Sequence, residues 1–314
     1  MTEAQILFWR RAQHRAADLA TPLREKLLRV FAMLRDRLDD ASIKTLLRKG
    51  AVDEIVQTAL SDEFLDRALL PLSKQIRTTI EKGFEQHIKD LPRAGRVDGV
   101  LAVSFDTLNP DVVTAIETLE QPALLAVKTD ARAIVRAAMS WGLEHQQSPA
   151  AIARDLRSVI GLGPSQLEEV QNFRRALEGE RNITGYTLRD KRLDTLLKKK
   201  PLTPSQVERY AAQYLERRVA SNAITVTRTL ALNSYKQGQD LTWKQAQANG
   251  VVPDGYMLWK TWIQIQRPSM RDDHIPLDGE RVPFDTPYSN GSMIPGDQGE
   301  YNCGCVSLIV VVRK

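Results

Sequence analysis

The sequence predicts an α+β protein that is predominantly α-helical, with helical N-terminal and middle regions and a small C-terminal α+β domain containing a short sheet. Three observations predict it. Apolar residues recur at spacings of three and four over most of the chain before Gly250. Hydrophobic residues make up 42% of the 314 residues and aromatics only 6%, the balance expected of a helix-rich core built from Leu, Ile, Val and Ala. After Gly250 the pattern changes to strand-like alternation, then to a turn-rich stretch, then to a β-branched run. The composition shifts divide the chain into an N-terminal helical region (1–95), a helical body (96–250) and a C-terminal β-containing domain with a long ordered loop (251–314).

The first helical stretch carries Leu19, Leu23, Leu27, Val30, Leu34 and Leu38 on one face. Breaks are expected near Thr21-Pro22, at Gly50 and at Pro71, because proline suits the first turn of a helix better than its middle. Basic residues between the leucines could form a nucleic-acid face, but they alternate with Glu25, Asp36, Asp39 and Asp40, the pattern expected of a solvated face. Leu91 to Arg96 mixes Pro, Gly and charge and reads as a linker. Asp106, Asn109 and Pro110 should open the next helix, and Ser148-Pro149, Pro164-Ser165 and Thr203-Pro204-Ser205 should each open another. From Ser205 to about Gln247 the spacing of Val207, Tyr210, Tyr214 and Val219 predicts one or two long helices.

In the tail, Tyr256 to Ile265 alternates as a strand, and Val306 to Val312 is an apolar run expected of a buried strand. Five prolines and five glycines lie between them. An ordered loop of that length needs a job or a fastener.

The net charge of +5 and pI near 9.2 favour contact with polyanions or acidic partners without choosing between them. The most basic segment holds Arg181, Arg189, Lys191, Arg192, Lys198, Lys199 and Lys200, candidates for phosphate or partner contact, the alternative being a solvated loop. The only cysteines, Cys303 and Cys305, are spaced too closely for a relaxed disulfide, which argues against a secreted disulfide scaffold. The N-terminus shows Arg10, Arg11 and Arg15 in an amphipathic stretch and no signal-peptide pattern, and no apolar run is long enough to span a bilayer.

The residue types of the tail leave two readings. His274, Asp272 or Asp273, Cys303 and Cys305 offer imidazole, carboxylate and thiolate groups that could close a tetrahedral zinc site, with both cysteines on one face of a strand. Alternatively, Arg271, Asp273, His274, Asp278, Gly279, Asn302, Cys303 and Cys305 form a hydrogen-bonded structural cluster without metal. The C-x-C spacing is less diagnostic than paired C-x-x-C and weighs toward the second. A hydrolase using Asp272, Asp273 and His274, with Arg228 on a phosphate, needs the same residues. No Gly-rich phosphate loop, H-E-x-x-H or G-x-S-x-G supports it.

The succession Trp259 and Trp262, Arg271-Asp272-Asp273-His274, Leu277-Asp278-Gly279, Pro283-Phe284, Pro295-Gly296 and Asn302-Cys303-Gly304-Cys305 resembles the C-terminal region of phage Mu gpF-like minor head (head morphogenesis) proteins. Upstream, Ser104-Phe105-Asp106 with Asn109-Pro110, Gly161-Leu162 and the helix bearing Arg218, Ala220 and Thr227-Arg228-Thr229 also resemble its longer members. The sequence departs from the family at Leu230, where an acidic residue is frequent, and at Gly304, where Arg is frequent. The resemblance implies a non-enzymatic, low-copy virion protein inside the capsid near the portal, present in host cytoplasm during assembly. Its implied partners are the portal protein, the major capsid or scaffolding protein and packaged double-stranded DNA, with no membrane. Alternatives are a phage-encoded metal-dependent hydrolase and a connector or tail-completion protein. No cofactor is expected beyond the zinc of the first reading.

Overall fold

The computed structural model describes residues 2–38, 45–46, 48–91, 96–97, 100–101, 103–179, 182–199, 201–264, 271–297 and 303–314. It is predominantly helical, 69% of the chain, with a small three-stranded antiparallel sheet at the C-terminus, as the sequence predicts. The helices are α1 (Glu3–Leu38), α2 (Val52–Ala59), α3 (Asp62–Ile88), α4 (Pro110–Glu144), α5 (Pro149–Val159), α6 (Pro164–Leu177), α7 (Leu193–Lys199) and α8 (Pro204–Ala248). Strands β1 (Arg96–Val97) and β2 (Val100–Leu101) form a short antiparallel ladder where the sequence suggested a linker. The C-terminal sheet has the order β4 (Arg281–Pro283), β3 (Tyr256–Ile263), β5 (Val306–Arg313).

Helix starts follow the capping chemistry. Asn109 Oδ1 accepts from the Asp111 N–H at 2.9 Å ahead of α4, and Ser148 Oγ accepts from the Ala151 N–H at 3.3 Å ahead of α5. At α8, Thr203 and Gln206 bond reciprocally, Thr203 N–H to Gln206 Oε1 at 2.9 Å and Gln206 N–H to Thr203 Oγ1 at 3.4 Å. Two expected breaks are absent. Pro22 and Pro71 lie inside α1 and α3. A mid-helix proline costs about 3 kcal/mol, but Leu19, Leu23, Leu27, Val30, Leu34 and Leu38 are all buried. Fully burying each leucine is worth about 1.5–3 kcal/mol, so packing of the stripe outweighs one lost backbone bond. The break at Gly50 is present, in a turn at φ +68°.

The chain divides into two compact units. The first comprises Met1–Lys26, Pro71–Ala123 and Thr225–Lys314, and the second Leu27–Leu70 and Leu124–Ile224. The division falls within α1, α3, α4 and α8, close to Pro22, Pro71 and Pro122 in the first three.

The second unit has no β-strand among its described residues, and its apolar core includes Phe31, Leu65, Ile134, Leu156 and Phe173. Phe173 stacks on Tyr214 at 4.0 Å between ring centroids. In the first unit, the C-terminal half of α8 is buried around most of its circumference, the pattern of a central helix. It crosses α3 at a pair of glycines: a Cβ added to Gly238 would lie 2.3 Å from the Phe84 backbone nitrogen. That approach lets Thr242 Oγ1 donate to the Phe84 carbonyl at 3.2 Å.

Candidate functional site

The C-terminal sheet is built on the β3–β5 ladder, which runs from Tyr256 opposite Arg313 to Ile263 opposite Val306. This register brings Gln264 and Cys305, the next residues outward, to the same end of the sheet. A 3-10 helix, Asp272–Leu277, follows β3, and the chain turns back at Asp278-Gly279. The turn is fastened to β3 by three bonds of 2.9 Å: Gly279 N–H to the Trp262 carbonyl, Trp262 N–H to the Glu280 carbonyl, and Gln264 N–H to Asp278 Oδ1. Gly279 takes φ +85°, a conformation open to glycine at little cost.

These bonds hold the 3-10 helix over the sheet end and bury His274 at 3% exposure, with Cys303 at 7% and Cys305 at 5%. His274 Nδ1 lies 3.7 Å from Cys303 Sγ and 3.6 Å from Cys305 Sγ, and the three ligand-capable atoms lie within 4.8 Å of one another. Cys305 Sγ also lies 3.5 Å from Gln264 Oε1. The Trp262 ring stands edge-on to His274, 5.4 Å between centroids. Its indole N–H is buried without a hydrogen bond of ordinary geometry, and the group it acts on is the Cys305 sulfur. Hydrogen bonding from Cys305, helped by the charge of Lys236, pulls Cys303 down to about 5, while the same pairing and burial push Cys305 up.

Helix α1 reaches this cluster from the other end of the sequence. Trp9 Nε1 and Gln13 Nε2 both donate to the Gly304 carbonyl, between the two cysteines, at 2.8 and 3.0 Å. Arg228 Nη2 donates to Gln13 Oε1 at 3.2 Å. The arginine considered for phosphate is thus engaged in orienting the glutamine that holds the Cys-Gly-Cys backbone.

Two buried lysines fasten the loop before Cys303. Lys236 Nζ donates to the Pro295 carbonyl, and Lys260 Nζ donates to the Met293 carbonyl at 2.8 Å while sitting 5.0 Å from the Tyr288 ring centroid. Asp297 Oδ2 accepts from the Met293 and Ile294 N–H groups at 2.8 and 3.0 Å. Gly296 sits at φ +87°, which favours glycine, and a Cβ there would lie 2.9 Å from Lys236 Nζ. Burial pushes the Lys260 pKa down and that of Asp240 up. Neither Lys236 nor Lys260 was among the sequence candidates. The available signal was a lysine at position 260 inside an aromatic, apolar strand, a local conflict that marks a special environment.

The structure brings together His274, Cys303, Cys305, Asp278 and Gly279 of the predicted cluster. Arg271, Asp272 and Asp273 are exposed, and among the described residues no carboxylate joins the His274–Cys303–Cys305 group. Asn302 lies outside the described residues.

In the basic segment, Arg181 and Lys200 lie outside the described residues, as does the Lys199 side chain. Arg189 grips Asp194 with two bonds, of 2.8 and 2.7 Å, and Arg192 grips Asp190, with Nη2 to Oδ2 at 2.6 Å. Hydrogen bonding from Arg192 draws the Asp190 carboxyl down to about 2. Lys191 and Lys198 are exposed, and among the described residues neither has an ion pair. Lys198 lines a cavity of about 740 Å³ together with Arg174, Asn182, Asp194 and Val207. Among the described residues no helix is long and apolar enough to cross a membrane. No protein-family model matches the chain, and neither a curated protein nor a solved structure matches it.

Proposed function

We propose that the chain is a phage minor head protein, present in few copies and bound to the portal vertex inside the head. There it assists head assembly and DNA packaging, retention or ejection. The observation that carries this reading is the ordered set of tail motifs, from Trp259 and Trp262 through Arg271–His274 and Asp278-Gly279 to Cys303-Gly304-Cys305. What supports a non-catalytic role for them is how they are used. His274 and both cysteines are buried, Asp278 is engaged by a backbone N–H, and Asp272 and Asp273 face solvent away from a shared centre. A hydrolytic centre needs its base and electrophile within reach of one substrate atom.

The test is co-purification of the tagged full chain from cells in which its own genome is producing heads, with mass-spectrometric identification of what it retains. Portal and major capsid or scaffolding proteins are the expected partners. A lysate rich in assembled heads from which the chain retains no head component overturns the reading.

A further inference from the structure

We propose that His274, Cys303 and Cys305 bind one zinc ion that fastens the 3-10 helix to the start of β5, an inference independent of the head-protein reading. Zinc bound tetrahedrally has Zn–S near 2.3 Å and Zn–N near 2.0–2.1 Å, which fixes the S···N edge of the tetrahedron at about 3.5–3.6 Å. The two S···N separations are 3.7 and 3.6 Å. A single imidazole nitrogen placed almost equally far from two sulfurs is the arrangement a shared cation imposes. One proton can lie on only one of the two N···S lines at a time. The donor set, one imidazole and two thiolates, is the soft N/S combination that selects zinc over magnesium or calcium.

A second observation points to the same ligand. Trp262 is fully buried, and its indole N–H finds no partner of ordinary geometry beside Cys305. A metal-bound thiolate is a stronger acceptor than a neutral thiol, and donors of this kind orient ligands from outside the coordination sphere. Trp9 and Gln13 do the same for the backbone, since their two bonds to the Gly304 carbonyl set the direction of both cysteine side chains. Gln264 Oε1, 3.5 Å from Cys305 Sγ, is the oxygen at hand for the fourth position. All three ligands are buried, so the ion is structural and is taken up as the domain folds.

The experiment uses the full chain purified from zinc-supplemented cells and desalted. Elemental analysis should find about one zinc per chain, released when the two thiols are titrated with an organomercurial. Exchange into cobalt(II) should give tetrahedral d–d bands and a thiolate charge-transfer band that weakens by about half in Cys303→Ser, as one thiolate is lost. Asp273→Ala should keep its metal. A wild-type protein with native helicity that carries far less than one zinc and shows no cobalt bands overturns the proposal. So does an alkylation experiment on zinc-supplemented protein in which Cys303 reacts freely, which identifies a thiolate paired with Lys236 instead. Loss of zinc in a folded Asp273→Ala protein overturns the ligand set.

Discussion

The two units bury different chemistry. Among the described residues, every buried polar or charged side chain lies in the first unit, from Ser73, His87 and Glu120 to Lys236, Asp240, Lys260, Gln264 and His274. The second unit buries Leu, Ile, Val, Ala, Phe and Tyr, and keeps its charged residues in partly or fully exposed pairs such as Arg132–Asp62 and Arg189–Asp194. Burying a polar group costs free energy unless its partners are supplied, so a unit that does so repeatedly is held to one arrangement of partners. The second unit could exchange one apolar side chain for another at modest cost. The first could not, and it is the unit that carries the tail motifs.

The largest effect that should separate the units is at their tight glycines. In the first unit, a Cβ on Gly238 would meet the backbone of Gly83 and Phe84 on α3, which cannot rotate away. In the second, a Cβ on Gly142 would meet side-chain atoms only, Ile152 Cγ1 at 2.7 Å and Gln147 Oε1 at 3.1 Å. Gly238→Ala should therefore cost about 3 kcal/mol or more, and Gly142→Ala about 1 kcal/mol or less, part of its overpacking being offset by alanine's helix propensity. Urea unfolding of the two variants beside the parent measures this. Equal losses would break the distinction between a backbone crossing and a side-chain contact.

How much of this was legible depends on sequence distance. The Leu19 to Leu38 stripe, the Ser148-Pro149 and Thr203-Pro204 starts and the Val306 strand are local patterns, and each appears where the pattern puts it. Pro22 and Pro71 were misread because a local rule was applied where long-range packing decides. The two cysteines were expected on one face of a strand, but they come together in the irregular segment just before β5. Their meeting with His274 required the Asp278-Gly279 turn to close onto β3 in one register, which composition only suggests. Trp9 and Gln13 had no signal at all, because they hold Gly304 from a helix far away in sequence, and Arg228, considered for phosphate, is engaged by Gln13 instead.

A second, smaller difference should appear with pH. His87 is 1% exposed, its Nε2 has no partner, and burial pushes its pKa below the ordinary 6.5 despite Asp90 nearby. Arg15 and Tyr235 are the other groups facing it. Above pH 6.5 both folded and unfolded states carry a neutral ring, so nothing changes. As pH falls below 6.5 the unfolded chain takes up a proton that the folded one refuses, and stability is lost until the folded pKa is reached. The slope is at most about 1.4 kcal/mol per pH unit. The depressed carboxylates Asp62, Asp90 and Asp190 lose their contribution only below about 3.8, outside this window. With zinc held saturating, His87→Phe should flatten the stability profile between pH 6.5 and 5, and hydrogen exchange should place the change in the first unit. A variant profile parallel to the parent's would remove His87 as its source.

The smallest effect concerns the surface of the second unit, where the basic segment is a candidate for phosphate contact. Each phosphate neutralised by a side chain contributes about −0.9 to the slope of log affinity against log salt on double-stranded DNA. Arg189 and Arg192 are already matched by Asp194 and Asp190, so making a phosphate contact would require breaking a two-bond grip. Lys191 and Lys198 have no such tie among the described residues and extend into solvent. The double variant Lys191→Gln, Lys198→Gln should therefore reduce the magnitude of the slope by about 1.8, two contacts at about 0.9 each. Arg192→Gln should leave the slope nearly unchanged, because it removes a charge whose counterion is built into the fold. Binding measured by fluorescence anisotropy across a salt series decides between them. If Arg192→Gln lowers the slope as much as the lysine pair, the arginine leaves Asp190 to meet phosphate and the segment rearranges on binding. If neither variant changes it, Lys191, Lys198 and Arg192 make no phosphate contact, as expected of a solvated loop.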